Sequence, residues 1–310
     1  MLNIYRTDDN TVFEINRNET DCWYHLSAPT STELQQVIAQ TGVLADFLRA
    51  PLDDDERSRI ETEEGQTLIL VDTPIEEDVD IKGGYETIPI GIIMMQNCII
   101  TVCLKDPPLL REFYKGKVRN FSTKKHNRFI LQLLYRNAAK FLHYLRRIDK
   151  KSIDIENELH RSMRNKELID MLQLEKSLVY FSTSLKGNEG VLERLMRMSF
   201  IRQYADDLDL LEDVIIENKQ AIEMCTIYRD ILAGTMDAFA SVISNNLNIL
   251  MKVLTVITMI LTVPTIIASM WGMNVDVPFA QNPYGFWIVL AISIAASTVV
   301  WLFMKFKKMF

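Results

Sequence analysis

The pattern of hydrophobic and polar positions up to about residue 106 is typical of alternating strands and helices. Short runs rich in β-branched and aromatic residues predict strands at 11–15, 22–28, 59–64, 67–73, 87–95 and 98–104, the last two joined by a turn. Thr30 and Glu33 match the S/T-x-x-E capping pattern, which predicts a helix that continues through residue 40. Residues 1–106 are therefore predicted to form an α/β or α+β domain.

From residue 107 to residue 252 the pattern is helical throughout. It predicts a short helix at 109–117, a long amphipathic helix at 127–163, a helix at 167–185 that ends in a Lys-Gly-Asn-Glu-Gly turn at 186–190, and a further helix. No proline occurs from Asp206 to Val263, so a single helix from Asp206 to Met270 is expected. An apolar seam along this helix would pack against the same chain or against other copies: Ile222, Cys225, Leu232, Met236, Phe239, Ile243 and Leu250.

Two stretches near the carboxyl end, 253–275 and 286–304, contain no charged residue. Each is long enough to cross about 30 Å of hydrocarbon as a helix. Two buried core helices of a soluble protein are the less favoured alternative, because such helices rarely run so far without a charge. The sequence thus predicts a first transmembrane helix with the segment that follows it at 253–275, an extracytoplasmic loop at 276–285, a second transmembrane helix at 286–304 and a basic tail at 305–310.

Lysine positions predict the orientation of these helices. Lys252 precedes the first stretch and Lys305, Lys307 and Lys308 follow the second, whereas the connecting loop contains neither Lys nor Arg. Basic residues favour the cytoplasmic side, so both termini are predicted to be cytoplasmic. The chain is expected in the cell (plasma) membrane, in contact with lipid and with roughly 250 residues in the cytoplasm.

Composition excludes several classes of protein. The formal net charge of the 310 residues is −7, with 20 acidic and 6 basic residues in the first hundred, which argues against nucleic-acid binding through a basic surface. The four cysteines have no CxxC spacing, and the four histidines have no HExxH-like spacing. No nucleotide-binding motif is present either, so neither an enzyme nor an organic cofactor is expected.

Six polar residues, the first just before the first apolar stretch and the other five within it, form a stripe. Because they are spaced 7, 3, 4, 3 and 4 residues apart, they share one face of a helix. The hydroxyls would bond to the backbone, join helix to helix, or line a water-filled path between several copies around one axis. A lining of neutral oxygen atoms suits hard, hydrated cations such as Mg²⁺. Met251 and Leu254 would close such a path as an apolar ring or serve in packing. The stripe consists of Asn248, Thr255, Thr258, Thr262, Thr265 and Ser269.

After the stripe comes a Trp-Gly-Met-Asn sequence at 271–274, followed by Asp276 and Pro278. Together with the Asn-x-x-Met-Lys-x-Leu-Thr run at 248–255 and the lysine-rich tail, this segment resembles the CorA family of magnesium transporters. The mark of that family is Gly-Met-Asn at the outer end of the first of two carboxy-terminal spans. The architecture agrees over essentially the whole chain.

The resemblance implies an α+β membrane protein that assembles as a funnel-shaped homopentamer, with a cytoplasmic α/β domain and a long stalk helix that continues into the first transmembrane helix. It implies that the selectivity entrance comprises Gly272, Met273, Asn274 and Asp276, with the Asn274 amide oxygen facing the hydrated ion. Asn248 would form a polar ring at the cytoplasmic end of the pore, and Thr265 a hydroxyl position within it.

The resemblance also implies a regulatory divalent-metal site between subunits, formed by Asp213 of one chain and Asp46 of the next. Mg²⁺ would then be both substrate and regulator. Three positions depart from the family pattern: Trp271 replaces the usual Tyr, Ala45 replaces a common acidic residue beside Asp46, and Pro264 is displaced by one position.

The resulting hypothesis is a channel-like transporter for hydrated Mg²⁺, or for Co²⁺ or Ni²⁺, gated by cytosolic divalent ions. A transporter or exporter of Zn²⁺ or another transition metal from the same family is the first alternative. A membrane-anchored sensor or scaffold that conducts nothing is the alternative from a different class.

Overall fold

The computed structural model describes residues 1–8, 11–16, 19–76, 84–162, 165–199, 204–275, 277–278 and 282–306. The chain divides into two compact units, Met1–Thr235 and Met236–Phe310.

Within the described part of the first unit, one seven-stranded sheet has the order β2-β1-β3-β7-β6-β5-β4. Only the β3–β7 pair is parallel among these neighbours. The six strands predicted from the sequence are confirmed, and β1 was not predicted. The strands are β1 Leu2–Asp8, β2 Thr11–Glu14, β3 Cys22–Ser27, β4 Arg59–Glu63, β5 Gln66–Glu76, β6 Tyr85–Met94 and β7 Cys98–Cys103.

Helices cover both faces of this sheet. One face packs against α1 (Ser31–Thr41), which begins with the predicted Thr30–Glu33 capping box, and against α2 (Ala45–Arg49), which leads into a 3₁₀ turn. The other face packs against α3 (Pro108–Tyr114), α4 (His126–Ser162), α5 (Asn165–Met196) and the first part of α6 (Ala205–Trp271). Because β5 and β6 are covered on both sides, they appear in the sequence as nearly continuous apolar runs.

The turn predicted at residues 186–190 and the separate helix predicted after it are both wrong, because α5 passes through this segment without interruption and ends at Met196. Gly187 allows the helix to approach the sheet, since a Cβ there would lie 3.0 Å from the Ser58 Oγ. The buried Asn188 side chain accepts from the Asp72 backbone N–H at 2.9 Å and donates to the Asp72 carbonyl oxygen at 2.9 Å. The Gly-Asn-Glu-Gly composition therefore serves helix–sheet docking rather than a turn.

The second unit contains the remainder of α6 and α7 (Gly285–Phe306). Both helices are long and apolar enough to cross a membrane, and only 6% of the most apolar window of each is buried. The single helix predicted over 206–270 and the second apolar helix at 286–304 are both confirmed. Pro264 lies inside α6.

The apolar seam of α6 changes environment along its length. In the first unit Cys225 and Leu232 are buried, and the Cys225 thiol donates to the Leu178 carbonyl oxygen of α5 at 3.2 Å. At this point the seam packs against its own chain, which was one of the two alternatives. In the second unit Phe239 is still buried, whereas Leu250 is exposed.

Candidate ion-conduction site

The polar stripe lies on the side of α6 that faces away from α7. On the opposite side, Val256 is only 1% exposed, and Ile260 and Pro264 line a shallow groove together with residues of α7. The Ser297 hydroxyl of α7 donates to the Ile260 carbonyl oxygen at 3.4 Å. At about 100° of rotation per residue, the stripe from Asn248 to Ser269 lies roughly opposite this contact. The stripe is therefore not buried against the second apolar helix of its own chain.

Four hydroxyls of the stripe donate to the backbone carbonyl four residues earlier, which was one of the alternatives considered from the sequence. This bond uses the only hydrogen of each hydroxyl and leaves the oxygen lone pairs free to accept. The exposed face of α6 therefore presents a row of acceptors to the outside. The bonds join Thr255 to Met251 at 2.8 Å, Thr258 to Leu254 at 2.8 Å, Thr262 to Thr258 at 2.7 Å and Thr265 to Leu261 at 2.8 Å.

Met251 and Leu254 precede most of these hydroxyls and are 59% and 58% exposed. They lie on the same side of α6 as the stripe, Met251 about one turn and Leu254 nearly two turns beyond Asn248, which is also exposed. An apolar band thus separates Asn248 from the threonines that follow.

The Gly-Met-Asn sequence lies immediately beyond the end of α6. Gly272 N–H donates to the Ala268 carbonyl oxygen at 2.9 Å, and a Cβ at Gly272 would lie 3.2 Å from that same oxygen. Any larger residue would therefore crowd a backbone atom that belongs to the helix. Met273 and Asn274 are exposed, and the Asn274 amide has no hydrogen-bond partner within the described residues. Asp276, the fourth predicted residue of the entrance, lies outside the described residues.

Trp271 makes a contact that the sequence did not indicate. Its indole N–H donates to the Pro278 carbonyl oxygen at 3.0 Å. This bond joins the end of α6 to the segment after the Gly-Met-Asn sequence. The only sequence signal for it is the presence of a Trp and a Pro on either side of that sequence.

The two predicted regulatory residues lie on different elements of the first unit. Asp46 is in the first turn of α2 and Asp213 is on α6, and both are exposed. Neither carboxylate has an ion-pair partner among the residues described. Likewise, no group of three or more His, Cys, Asp and Glu side chains that could hold a metal ion occurs in the described part of the single chain.

The acidic run at 53–56 is partly occupied by local contacts. The Asp55 N–H donates to the Asp53 carboxylate at 3.1 Å, and Glu56 pairs with Arg59. These contacts are typical of a solvated loop rather than of a dedicated set of metal ligands.

Fold and site together define a class: a membrane protein with an α/β domain, a long helix and two apolar helices, the first followed by Gly-Met-Asn. Residues 18–308 match the family described as CorA-like Mg²⁺ transporter protein. The chain belongs to this family, whose members are transporters rather than enzymes.

Two curated relatives match most of the chain. The cobalt/magnesium transport protein CorA of Methanocaldococcus jannaschii is 28% identical over 278 residues, which cover 88% of this chain and 86% of the relative. The protein of the same name from Thermotoga maritima is 24% identical over 97% of this chain and 87% of its own length.

Solved structures support the architecture. The complete structure of the CorA magnesium transporter from Methanocaldococcus jannaschii matches with a TM-score of 0.82 and 23% identity, over 98% of this chain and 97% of that one. The full-length CmaX protein matches with a TM-score of 0.71 and 15% identity, over 98% and 96%. At these identities the likeness establishes the fold: an amino-terminal α/β domain, a long helix and two apolar helices.

Proposed function

We propose that the chain is one subunit of a channel-like transporter that passes hydrated Mg²⁺, or Co²⁺ or Ni²⁺, across the cytoplasmic membrane. The observation that carries this proposal is the row of hydroxyl oxygens on α6, directed away from α7 with their lone pairs free. Water molecules around a cation direct their hydrogens outward, so a surface of acceptors suits an ion that keeps its hydration shell. Mg²⁺ sheds water reluctantly and is such an ion.

A single chain with two spans cannot enclose a water-filled path. Closed symmetry solves this problem by placing the stripes of several copies around one axis, with each α7 outside and in contact with lipid. We infer a homopentamer from the resemblance to the family. The exposed polar face of α6 supports an assembly of several copies, because oxygen atoms with free lone pairs are unfavourable against hydrocarbon.

The outer entrance of this path would be formed by the segment from Gly272 to Asn274, together with Asp276. The Asn274 amide has no partner within the described residues and would accept hydrogens from water bound to the ion. No thiolate or imidazole is present among these entrance residues, so a soft metal would not be held directly. This chemistry favours Mg²⁺ over Zn²⁺.

Met251 and Leu254 would form an apolar ring near the cytoplasmic end of the path. Rings of this kind close a pore by expelling water from a constriction. Their exposure on the same side as the stripe supports this role.

Cytosolic divalent ions would act on this gate through Asp46 and Asp213. Two carboxylates that face each other across a subunit boundary repel unless a cation lies between them. High Mg²⁺ would therefore hold neighbouring subunits together in the closed state, and loss of the ion would release them. The exposure of both carboxylates supports a ligand contributed from outside the chain.

We place residues 1–252, with both the α/β and helical regions, and the tail at 305–310 in the cytoplasm, and residues 276–285 outside. The distribution of lysines supports this orientation. An inward flow of a divalent cation would be driven by the membrane potential at roughly 2.3 kcal/mol per charge for each 100 mV. No organic cofactor is required.

The proposal is tested by ion flux into liposomes that contain the pure protein, comparing Mg²⁺, Co²⁺, Ni²⁺ and Zn²⁺. We expect Mg²⁺ uptake in the native protein and a loss to the level of empty liposomes in Asn274→Ala, because the entrance loses its amide acceptor. Asn282→Ser, in the same connecting segment, serves as the matched control and should retain uptake. Size-exclusion chromatography checks that assembly survives in each variant.

Three outcomes would overturn the proposal. Uptake of Zn²⁺ without Mg²⁺ would indicate a transition-metal transporter. Absence of flux for every ion would indicate a sensor or scaffold. Equal uptake by the native protein and Asn274→Ala would show that Asn274 does not form the entrance.

A further inference from the structure

A cluster of sulfur atoms lies in the core of the first unit, at one end of the sheet. Cys22 and Cys98 are the first residues of β3 and β7, and they are directly paired across these parallel strands. Both side chains belong to the same apolar face, with exposures of 0% and 6%. Adjacent strands are about 4.8 Å apart, so the two thiols are neighbours. The Cys98 Sγ also lies 3.9 Å from the Sδ of Met95.

A buried hydroxyl points to the same place. The Tyr24 side chain is fully buried, and its hydroxyl has no well-aligned hydrogen-bond partner in the described residues. Burial raises the pKa of Tyr24, and the nearby Cys22 and Cys98 sulfurs raise it further. Buried polar groups normally have well-aligned partners, whereas this hydroxyl has only a poor contact with the Cys22 thiol and lies close to the Cys98 thiol.

From this juxtaposition we propose a binding site for one thiophilic divalent cation of the Zn²⁺ or Cd²⁺ type, held by the Cys22 and Cys98 sulfurs and the Met95 sulfur, with the Tyr24 hydroxyl oxygen as fourth ligand. Two thiolates, one thioether and one oxygen make the four-coordinate, sulfur-rich set that such ions favour. Mg²⁺ prefers oxygen ligands and would not compete.

Charge balance selects a divalent ion over a monovalent one. Binding releases both thiol protons to solvent, so the ion and two neutral thiols become a neutral complex and two protons. A monovalent ion with two thiolates would leave a net negative charge in an apolar core, which is costly. The Cys22 thiol, which now donates to the Glu19 carbonyl oxygen at 2.9 Å, would give up that bond.

The cluster lies close to the surface, at the connection between β6 and β7. Met95 is half-buried and lies in the β6–β7 connection beside the exposed Gln96 and Asn97, which gives an ion a short route from solvent.

The test is a Cd²⁺ titration of the reduced, full-length protein in detergent, with excess Mg²⁺ present and oxygen excluded. Absorption by the thiolate-to-Cd²⁺ charge transfer reports the site directly. We expect one saturable Cd²⁺ per chain, loss of the band in Cys98→Ala, and an unchanged band in Cys103→Ala and Cys225→Ala, which remove buried thiols elsewhere. Absence of the band, or its survival in Cys98→Ala, overturns the proposal.

Met95→Leu decides the matter if Cys98→Ala fails to fold, because it keeps both thiols and nearly the same core volume. A Cd²⁺ affinity about tenfold weaker than that of the native protein supports the site, and an unchanged affinity overturns it. The measurement reports metal binding in the α/β domain and goes beyond the proposed transport. Its outcome therefore does not depend on whether the protein conducts ions.

Discussion

Large apolar side chains are mostly buried in the unit Met1–Thr235 and mostly exposed in the unit Met236–Phe310. In the first unit the large aromatic and aliphatic side chains are enclosed by helices on both faces of a sheet. In the second, residues such as Leu250, Leu261 and Phe286 are mostly exposed. The first unit thus carries its own apolar environment, whereas the second leaves most of its apolar side chains uncovered within the chain; in the proposed function, lipid and neighbouring copies would cover them.

The largest contrast should appear when large apolar side chains are truncated. Phe129 is buried in an edge-to-face cluster with Trp23 and Phe121. Phe129→Ala should lower the free energy of unfolding by about 4 kcal/mol, because it leaves a cavity. Leu261→Ala, at a position 63% exposed, should cost far less. Guanidinium unfolding of the full chain in detergent, followed by Trp fluorescence, measures both, and equal losses would contradict the division.

The next largest effect tests how α5 is docked on the sheet. Asn188→Ala should cost about 2–3 kcal/mol, because it leaves the Asp72 N–H without a partner, whereas the Asp72 carbonyl keeps its hydrogen bond from Asn137. Gly187→Ala should also destabilise the unit, through the contact with Ser58.

Gly190 provides the matched control for this docking site, because a Cβ there meets no atom within 4 Å. Gly190→Ala should therefore raise the free energy of unfolding by about 0.5–1 kcal/mol. Thermal unfolding of the full chain compares the glycine variants, and the same sign for Gly187→Ala and Gly190→Ala would refute the docking role.

A charge neutralised inside the first unit gives a smaller, pH-dependent effect. Burial raises the pKa of Asp106, but hydrogen bonds from His25, Arg111 and Tyr114 outweigh it and lower the pKa to about 2. Because the folded pKa is below the unfolded value, this carboxylate stabilises the fold above about pH 4, and the contribution is lost as the pH falls towards 2.

Asp106→Asn should therefore reduce the free energy of unfolding at pH 7 by about 2 kcal/mol. It should also flatten the dependence of stability on pH between about 4 and 2. Denaturant unfolding at a series of pH values measures both quantities. An unaltered slope in the variant would show that Asp106 does not carry this linkage.

The smallest effect concerns the stripe of the second unit. Thr262→Val keeps the shape of the side chain and removes one acceptor, so Mg²⁺ flux should fall about fivefold, equivalent to one hydrogen bond of about 1 kcal/mol. Thr298→Val is the control, because the Thr298 hydroxyl on α7 makes the same kind of backbone bond, to the Ile294 carbonyl oxygen at 2.8 Å. Equal flux in the two variants would argue against a wet face on α6.

Local patterns were sufficient for most elements of the fold. The capping box at Thr30 and Glu33, the strands and the long proline-free helix depend on short-range chemistry that the sequence carries directly. β1 was missed because its burial comes from pairing with β2 and β3 on either side, and its own apolar residues are few. The five-residue helix α2 is too short to have a period.

Long-range contacts explain what the sequence could not show. The error at residues 186–190 arose because Gly187 and Asn188 serve contacts with Ser58 and Asp72, which are more than a hundred residues away. The composition of the polar stripe was evident from the sequence. Its direction relative to α7 was not, because that direction depends on packing.

One feature of that packing concerns the orientation of α6. Pro264 has no amide hydrogen, so the Ile260 carbonyl four residues earlier has no donor in its own helix. Hydrocarbon supplies none, and Ser297 of the neighbouring helix does. Turning α6 about its long axis would break this bond and leave the Ile260 carbonyl without a hydrogen-bond donor in the hydrocarbon. Pro264 of α6 and Ser297 of α7 thereby fix the rotation of α6 about its long axis, and with it the direction in which its threonines face.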